Sequence, residues 1–160
     1  MPDKTQGVAM AQQETARRVG VRSTSMQVNG ASVISVRLVG ALLALAVAAV
    51  HIADQGSLTS LASPHWIGWS YRLIEIGAVL TASAVLVSRP AWSGWAAGVL
   101  LGTGPFLGYV ASRSVGVPGD HADIGNWGYW VGTVSLVVEA ALIVLSVGML
   151  LSLRERRAQG

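Results

Sequence analysis

The stretch GWSYRLIEIGAVLTASAVLVS, residues Gly68 to Ser88, is long enough to cross a bilayer, which takes about 20 predominantly apolar residues in a helix. It also carries Arg72 and Glu75. At a rise of ~1.5 Å per residue, both charges sit roughly 6 to 10 Å inside the stretch, on one face because they are one helical turn apart. Glu139 is the only other acidic residue well inside an apolar run. Each such charge costs roughly 2.5 to 3.5 kcal/mol at a helix centre and less toward the ends, which argues against burying all three unpaired. The sequence therefore predicts a polar cluster inside a helical bundle.

Working outward, three further segments reach spanning length. The chain has 160 residues, 52% of them hydrophobic and only 12% charged, with a mean hydropathy of +0.53. These values place it in the membrane class with room for one domain. Loops and open strands cannot face lipid, so each span is expected to be a helix. The predicted architecture is an all-α membrane protein with helices at about 33–53, 68–88, 91–112 and 128–153. These form an antiparallel four-helix transmembrane domain over 33–153. Residues 1–32 read as a flexible cytoplasmic tail and 154–160 as a basic cytoplasmic tail. Within the first tail, Ala9 to Val21 reads as a solvated segment in preference to a basic amphipathic helix, because it has few large apolar residues. The polar segment before the first apolar run is too long for a cleavable signal, so the first helix is expected to be retained.

Charge sets the expected topology. Lys4, Arg17, Arg18, Arg22, Arg37, Arg89, Arg154, Arg156 and Arg157 are nine of the 11 basic residues, and all lie in or beside the tails and the turn at Arg89. Only Arg72 and Arg113 fall elsewhere, so the excess of basic residues on the inner side puts both termini in the cytoplasm. Asp54, Glu75, Asp120, Asp123 and Glu139 then belong to the outer half. Trp66, Trp69, Tyr71, Trp127, Tyr129 and Trp130 would mark the outer interface, and Trp92 and Trp95 the inner one. The basicity follows membrane topology, so the expected partner is the lipid bilayer and not nucleic acid.

Small residues indicate which faces meet. Gly40, Ala44 and Ala48 form a stripe that carries His51 inward, because small residues four apart let helices approach closely. Helix three has Gly94, Gly98 and Gly102 on one stripe and Gly104 and Gly108 on another, with Pro105 as an expected kink that shapes packing or gates. On helix four, Gly132, Ser135, Glu139 and Ser146 share a face turned to the bundle.

By depth, His51, Arg72, Glu75, Tyr109 and Glu139 are expected to converge as a ligand or ion pocket, with Asp54, Arg113, Asp120, His121 and Asp123 as its outer rim. Arg72 would anchor an anion or pair with a glutamate, and Glu75 and Glu139 would accept a cation or proton. The competing reading is an ion-pair network that only fixes helix order. No cofactor or metal is expected. Asp120-His121-Ala122-Asp123 matches no closed zinc or calcium spacing, and His51 is the only histidine within a helix, which disfavours haem. The absence of cysteine excludes disulfides, thiolate sites and thiol redox enzymes. No nucleophile set is visible, so an enzyme is the least favoured class. The leading expectation is an integral membrane binding or accessory protein that holds a small ligand, an ion or a partner membrane subunit. The alternatives are a proton-coupled or cation transporter and a purely structural subunit, with homo-oligomerisation left open.

The run SRSVGVPG from Ser112 to Gly119, then Asn126-Trp127, Gly132 and SLVVE from Ser135 to Glu139, resembles small, uncharacterised four-pass membrane proteins of high-GC bacteria. His51 belongs to the same resemblance, which extends through all four helices. It implies a multi-pass protein of the bacterial cytoplasmic (inner) membrane with an outward polar site, and no established activity. Glu75 departs from that pattern, which leaves its role to be found. Small four-pass multidrug exporters are similar only in helix count, since their glutamate lies in the first helix and their chains are shorter.

Overall fold

The computed structural model describes residues 32–159, so the expectations for the N-terminal tail and its Ala9 to Val21 segment lie outside the described residues. The chain divides into two compact units, 1–36 and 37–160. The first is represented only by the opening residues of helix one, and the contacts below belong to the second.

Four helices account for most of the described chain: α1 Ser32–Gln55, α2 His65–Val87, α3 Trp92–Ser114 and α4 Trp130–Ala158. By length and composition, α1, α2 and α4 are each apolar enough to cross a membrane. Helix α3 matches α2 at 23 residues but is less apolar, because Gly94, Gly98, Gly102, Gly104 and Gly108 contribute no side chain.

Helix ends differ from the hydropathy reading for local reasons. Helix α2 starts directly after Pro64, a residue whose fixed φ suits a helix start. It stops at Val87, because the residue before Pro90 is steered away from helical geometry. Helix α4 runs on through Arg154 to Arg157 and ends at Ala158. Arginine, glutamate and leucine are good helix formers, so loss of apolarity there does not end the helix. Helix α3 continues through Pro105.

Close contacts give the order of packing. Gly94 at the start of α3 lies against the backbone of Ala84 and Val85 at the end of α2. Along α3, Gly98 faces Ser146, Gly102 faces Ile143, and Tyr109 faces Gly132, so α3 and α4 run antiparallel. Gly40 of α1 receives Trp95 and Val85, and at the other end Gln55 reaches Glu75. The result is an up-down-up-down arrangement. A Cβ at Gly94 would come within 2.8 Å of the α2 backbone, which is why a glycine is required at this crossing. Trp95, expected at an interface, is instead 1% exposed and fills the notch over Gly40.

The core is built from small residues, with Ala41, Ala44, Val47 and Ala48 of α1 packed on Ala78, Ala82, Leu101 and Leu142. His51, Glu75, Arg113, Ser135, Glu139 and Ser146 are also buried, whereas Leu42, Leu80, Leu100, Val137 and Val144 are exposed. A continuous apolar exterior around polar interior groups is unfavourable in water but suits a hydrocarbon solvent.

Candidate functional site

At the end of the bundle that carries the 56–64 and 115–129 connections, a cavity of about 750 Å³ opens between the helices. Its floor is Glu139. This side chain is turned inward by the α4 face that also buries Val131, Gly132, Ser135, Leu142 and Ser146. Ser135, one turn earlier, donates to Glu139 Oε1 at 2.5 Å. Oε2 is buried and has no hydrogen-bond partner among the described residues, and the residue is only 1% exposed.

His51 approaches from α1, with Nε2 3.9 Å from Glu139 Oε1. Its other ring nitrogen, Nδ1, lies 2.9 Å from the Val47 carbonyl oxygen, which fixes the ring orientation. Below the floor, Val47, Trp95 and Leu142 are all buried and do not line the cavity, so it closes toward the opposite end of the bundle.

Above the floor, Asp54 ties three helices together. Its two carboxylate oxygens accept from Tyr71 of α2 at 2.7 Å and from Tyr129, just before α4, at 2.8 Å. The bond that Tyr129 donates to Asp54, with added burial and the nearby carboxylate charge, pushes its titration up to about 12. The Tyr71 ring also meets the His51 ring edge-on, with centroids 5.1 Å apart.

Arg113 is buried at the end of α3 and pairs with Asp123. Its guanidinium stacks 4.8 Å from the Tyr109 ring centroid and 5.9 Å from that of Tyr129, both within cation–π range. The same pair anchors the 115–129 connection, where the Gly125 N–H donates to the Arg113 carbonyl at 2.8 Å. Gly119 takes a positive φ of 81° in the Pro118-Gly119 turn, whose flanking Val117 and Asp120 exchange backbone hydrogen bonds. Trp66 Nε1 then donates to the Pro118 carbonyl at 2.9 Å, tying the turn to the start of α2.

Arg72 and Glu75 do not line the cavity, although the Glu75 carboxylate is near enough to interact electrostatically with His51. Arg72 Nη1 donates to Glu75 Oε2 at 2.5 Å, and Nη2 donates to the Ser60 carbonyl at 2.5 Å. Gln55 donates to Glu75 Oε1 at 2.7 Å. This network fastens the connection after α1 onto α2. Of the five residues expected to converge, His51, Tyr109 and Glu139 line the cavity and Arg72 and Glu75 do not. Of the expected rim, Asp54, Arg113, Asp120 and Asp123 line it, whereas His121 is exposed beside Gly116. Among the described residues, no group of three or more His, Asp or Glu side chains is placed to hold a metal ion.

The sequence reading missed the pairing of Asp54 with two tyrosines and of Gln55 with Glu75. It assigned Tyr71 and Tyr129 to an interfacial belt. The available signal was the small-residue stripe of α1, which leads past His51 to Asp54 and Gln55; the helix runs on to Gln55, beyond its expected end at 53, and so keeps both beside His51. The chain matches no protein-family model, no curated protein and no solved structure; the functional reading rests on this geometry.

Proposed function

We propose that the chain is a four-pass integral membrane protein, with both termini cytoplasmic, that binds a small ligand in the cavity at the outer half of its bundle. The observation that carries this reading is Glu139, a buried carboxylate with one oxygen unpartnered at the floor of a cavity large enough for a ligand. Buried polar atoms are nearly always satisfied, and an exception at a concave site marks where a ligand group belongs. Four passes are supported by the antiparallel packing of α3 between α2 and α4, since a helix of equal length between two spanning helices shares their depth. The charge bias supports cytoplasmic termini, and the family resemblance adds a bacterial cytoplasmic membrane.

A transporter needs a polar route through the bundle. The buried Val47, Trp95 and Leu142 beneath Glu139 favour a closed binding site instead. The test is native mass spectrometry of protein extracted in mild detergent, comparing wild type with Glu139→Gln and Arg72→Gln. A bound small mass is expected in wild type and Arg72→Gln and is expected to be lost in Glu139→Gln. Bare protein in all three, or an equal bound mass in Glu139→Gln, would overturn the proposal. Bare protein accompanied by a stoichiometric partner subunit would return the cluster to a structural role.

A further inference from the structure

The walls of the cavity specify its ligand more closely than its volume does. We infer that the site takes a lipophilic amine from the bilayer, with the ammonium head seated on Glu139 and the apolar body lying in the gap between α2 and α3. This inference rests on the ligand-binding reading of the same cavity.

The gap is visible in which residues are both lining and exposed. Leu73 of α2 and Leu100 of α3 line the cavity, yet they are 70% and 75% exposed on the outside of the bundle. On α3, Gly104 and Gly108 line the same cavity and are also exposed. A Cβ built on either glycine would meet nothing within 4 Å. These two glycines therefore do not serve helix contact as Gly94, Gly98 and Gly102 do. They leave a side opening at the level where apolar side chains face lipid.

Charge selects the head group. The lining holds four carboxylates, Asp54, Asp120, Asp123 and Glu139, against the guanidinium of Arg113 and the imidazole of His51. Arg113 keeps a buried Nε without a hydrogen-bond partner, but its charge is balanced by Asp123, so the remaining carboxylates leave the lining acidic. An anionic head would meet like charge in a low-dielectric site, whereas an ammonium is attracted to the acidic lining and donates to the unpartnered Oε2. Tyr109 and Tyr129 already hold the Arg113 guanidinium, and Tyr71 adds a further aromatic ring to the lining of the kind that holds organic cations.

Depth separates two sources of an ammonium. Glu139 lies nine residues into α4 from Trp130, or about 13 Å along the helix axis. An aminophospholipid would have to bring its phosphate down with its amine, against Asp54 and Glu139. A free amphiphilic amine brings no such anion, so it is the occupant the geometry favours.

The test uses the full chain in phosphatidylcholine nanodiscs, photolabelled with a diazirine-bearing long-chain alkylamine and mapped by peptide mass spectrometry. Labels are expected on the α2 and α3 residues flanking Gly104. Dodecylamine is expected to compete, while dodecanol and dodecanoate do not. Labelling should fall at least about tenfold in Glu139→Gln, equivalent to about 1.4 kcal/mol. It should fall similarly in Gly104→Leu, which fills the opening at a position where the fold has room. Equal competition by dodecanol, or undiminished labelling in both variants, would overturn the amine assignment. A native bound mass dependent on Glu139 would still stand in that case, so the two failures are distinguishable. Competition by phosphatidylethanolamine but not by dodecylamine would name the lipid head group as the source and overturn the free amine. Labelling spread evenly over the lipid-facing surface would overturn the site itself.

Discussion

Nε2 of His51 faces Oε1 of Glu139 across 3.9 Å, while Nδ1 of the same ring sits 2.9 Å from the Val47 carbonyl oxygen. A carbonyl only accepts, so Nδ1 carries a hydrogen and the nitrogen turned toward Glu139 is bare in the neutral ring. The cavity floor thus sets an imidazole beside a carboxyl group, with the ring's tautomer fixed from below by the backbone of α1.

Nitrogen NMR of protein labelled at histidine checks this directly. His51 is expected to show a protonated Nδ1, either as the neutral Nδ1–H tautomer or as imidazolium. A neutral ring protonated at Nε2 alone would contradict the arrangement. Replacing Glu139 with glutamine should leave the Nδ1–H intact, because Val47 and not Glu139 holds it.

The glycines of α3 make opposite predictions although they share a helix. At Gly94 an added Cβ would meet the α2 backbone within 2.8 Å, and backbone cannot rotate out of the way. Gly94→Ala is therefore expected to destabilise the bundle by about 1–3 kcal/mol, as overpacking does. Gly104→Ala should change stability by less than about 0.5 kcal/mol, since a new methyl group there meets open space. Thermal denaturation of both variants in the same detergent decides the matter, and equal losses would refute the packing account.

Patterns of residue size and charge made much of this legible in the sequence. The Gly40, Ala44, Ala48 stripe and the Gly132, Ser135, Glu139, Ser146 face are read directly from helical periodicity, and both are buried. What periodicity does not contain is rotation between helices. Arg72 and Glu75 lie at about the right depth to join His51 and Glu139, but their face turns toward Gln55 and Ser60. Rotation of α2 about its own axis separates the two outcomes, and only packing sets that angle. Apolarity likewise understated α3, because glycines that make a helix pack well contribute little to hydropathy.

The Asp54 junction predicts an alkaline signature. The bond Tyr129 donates to Asp54, then burial and the adjacent carboxylate charge, favour the protonated phenol and push it up to about 12. The sign follows from linkage: stabilisation from this group is full below its ordinary value of about 10 and is lost as pH rises through about 12. The spectrophotometric difference between wild type and Tyr129→Phe isolates its titration. In Asp54→Asn that curve is expected to move back toward 10. An unchanged midpoint would show that Asp54 does not hold the phenol.

Arg72 offers the sharpest division between structure and binding. Its guanidinium bridges the Glu75 carboxylate and the Ser60 carbonyl, and Glu75 is buried. Arg72→Gln leaves that carboxylate with Gln55 alone and frees the connection after α1. Loss of a bond to a buried charged group is expected to cost about 1.5–3 kcal/mol, read as faster amide hydrogen exchange over residues 56–63. Pairing it with Glu75→Gln should restore part of the loss, because the orphaned charge is then gone. Ligand occupancy in Arg72→Gln should stay within about threefold of wild type, under 1 kcal/mol, because Arg72 does not line the cavity. Unchanged exchange in the connection together with lost occupancy would reverse the assignment and make Arg72 an anchor for the ligand.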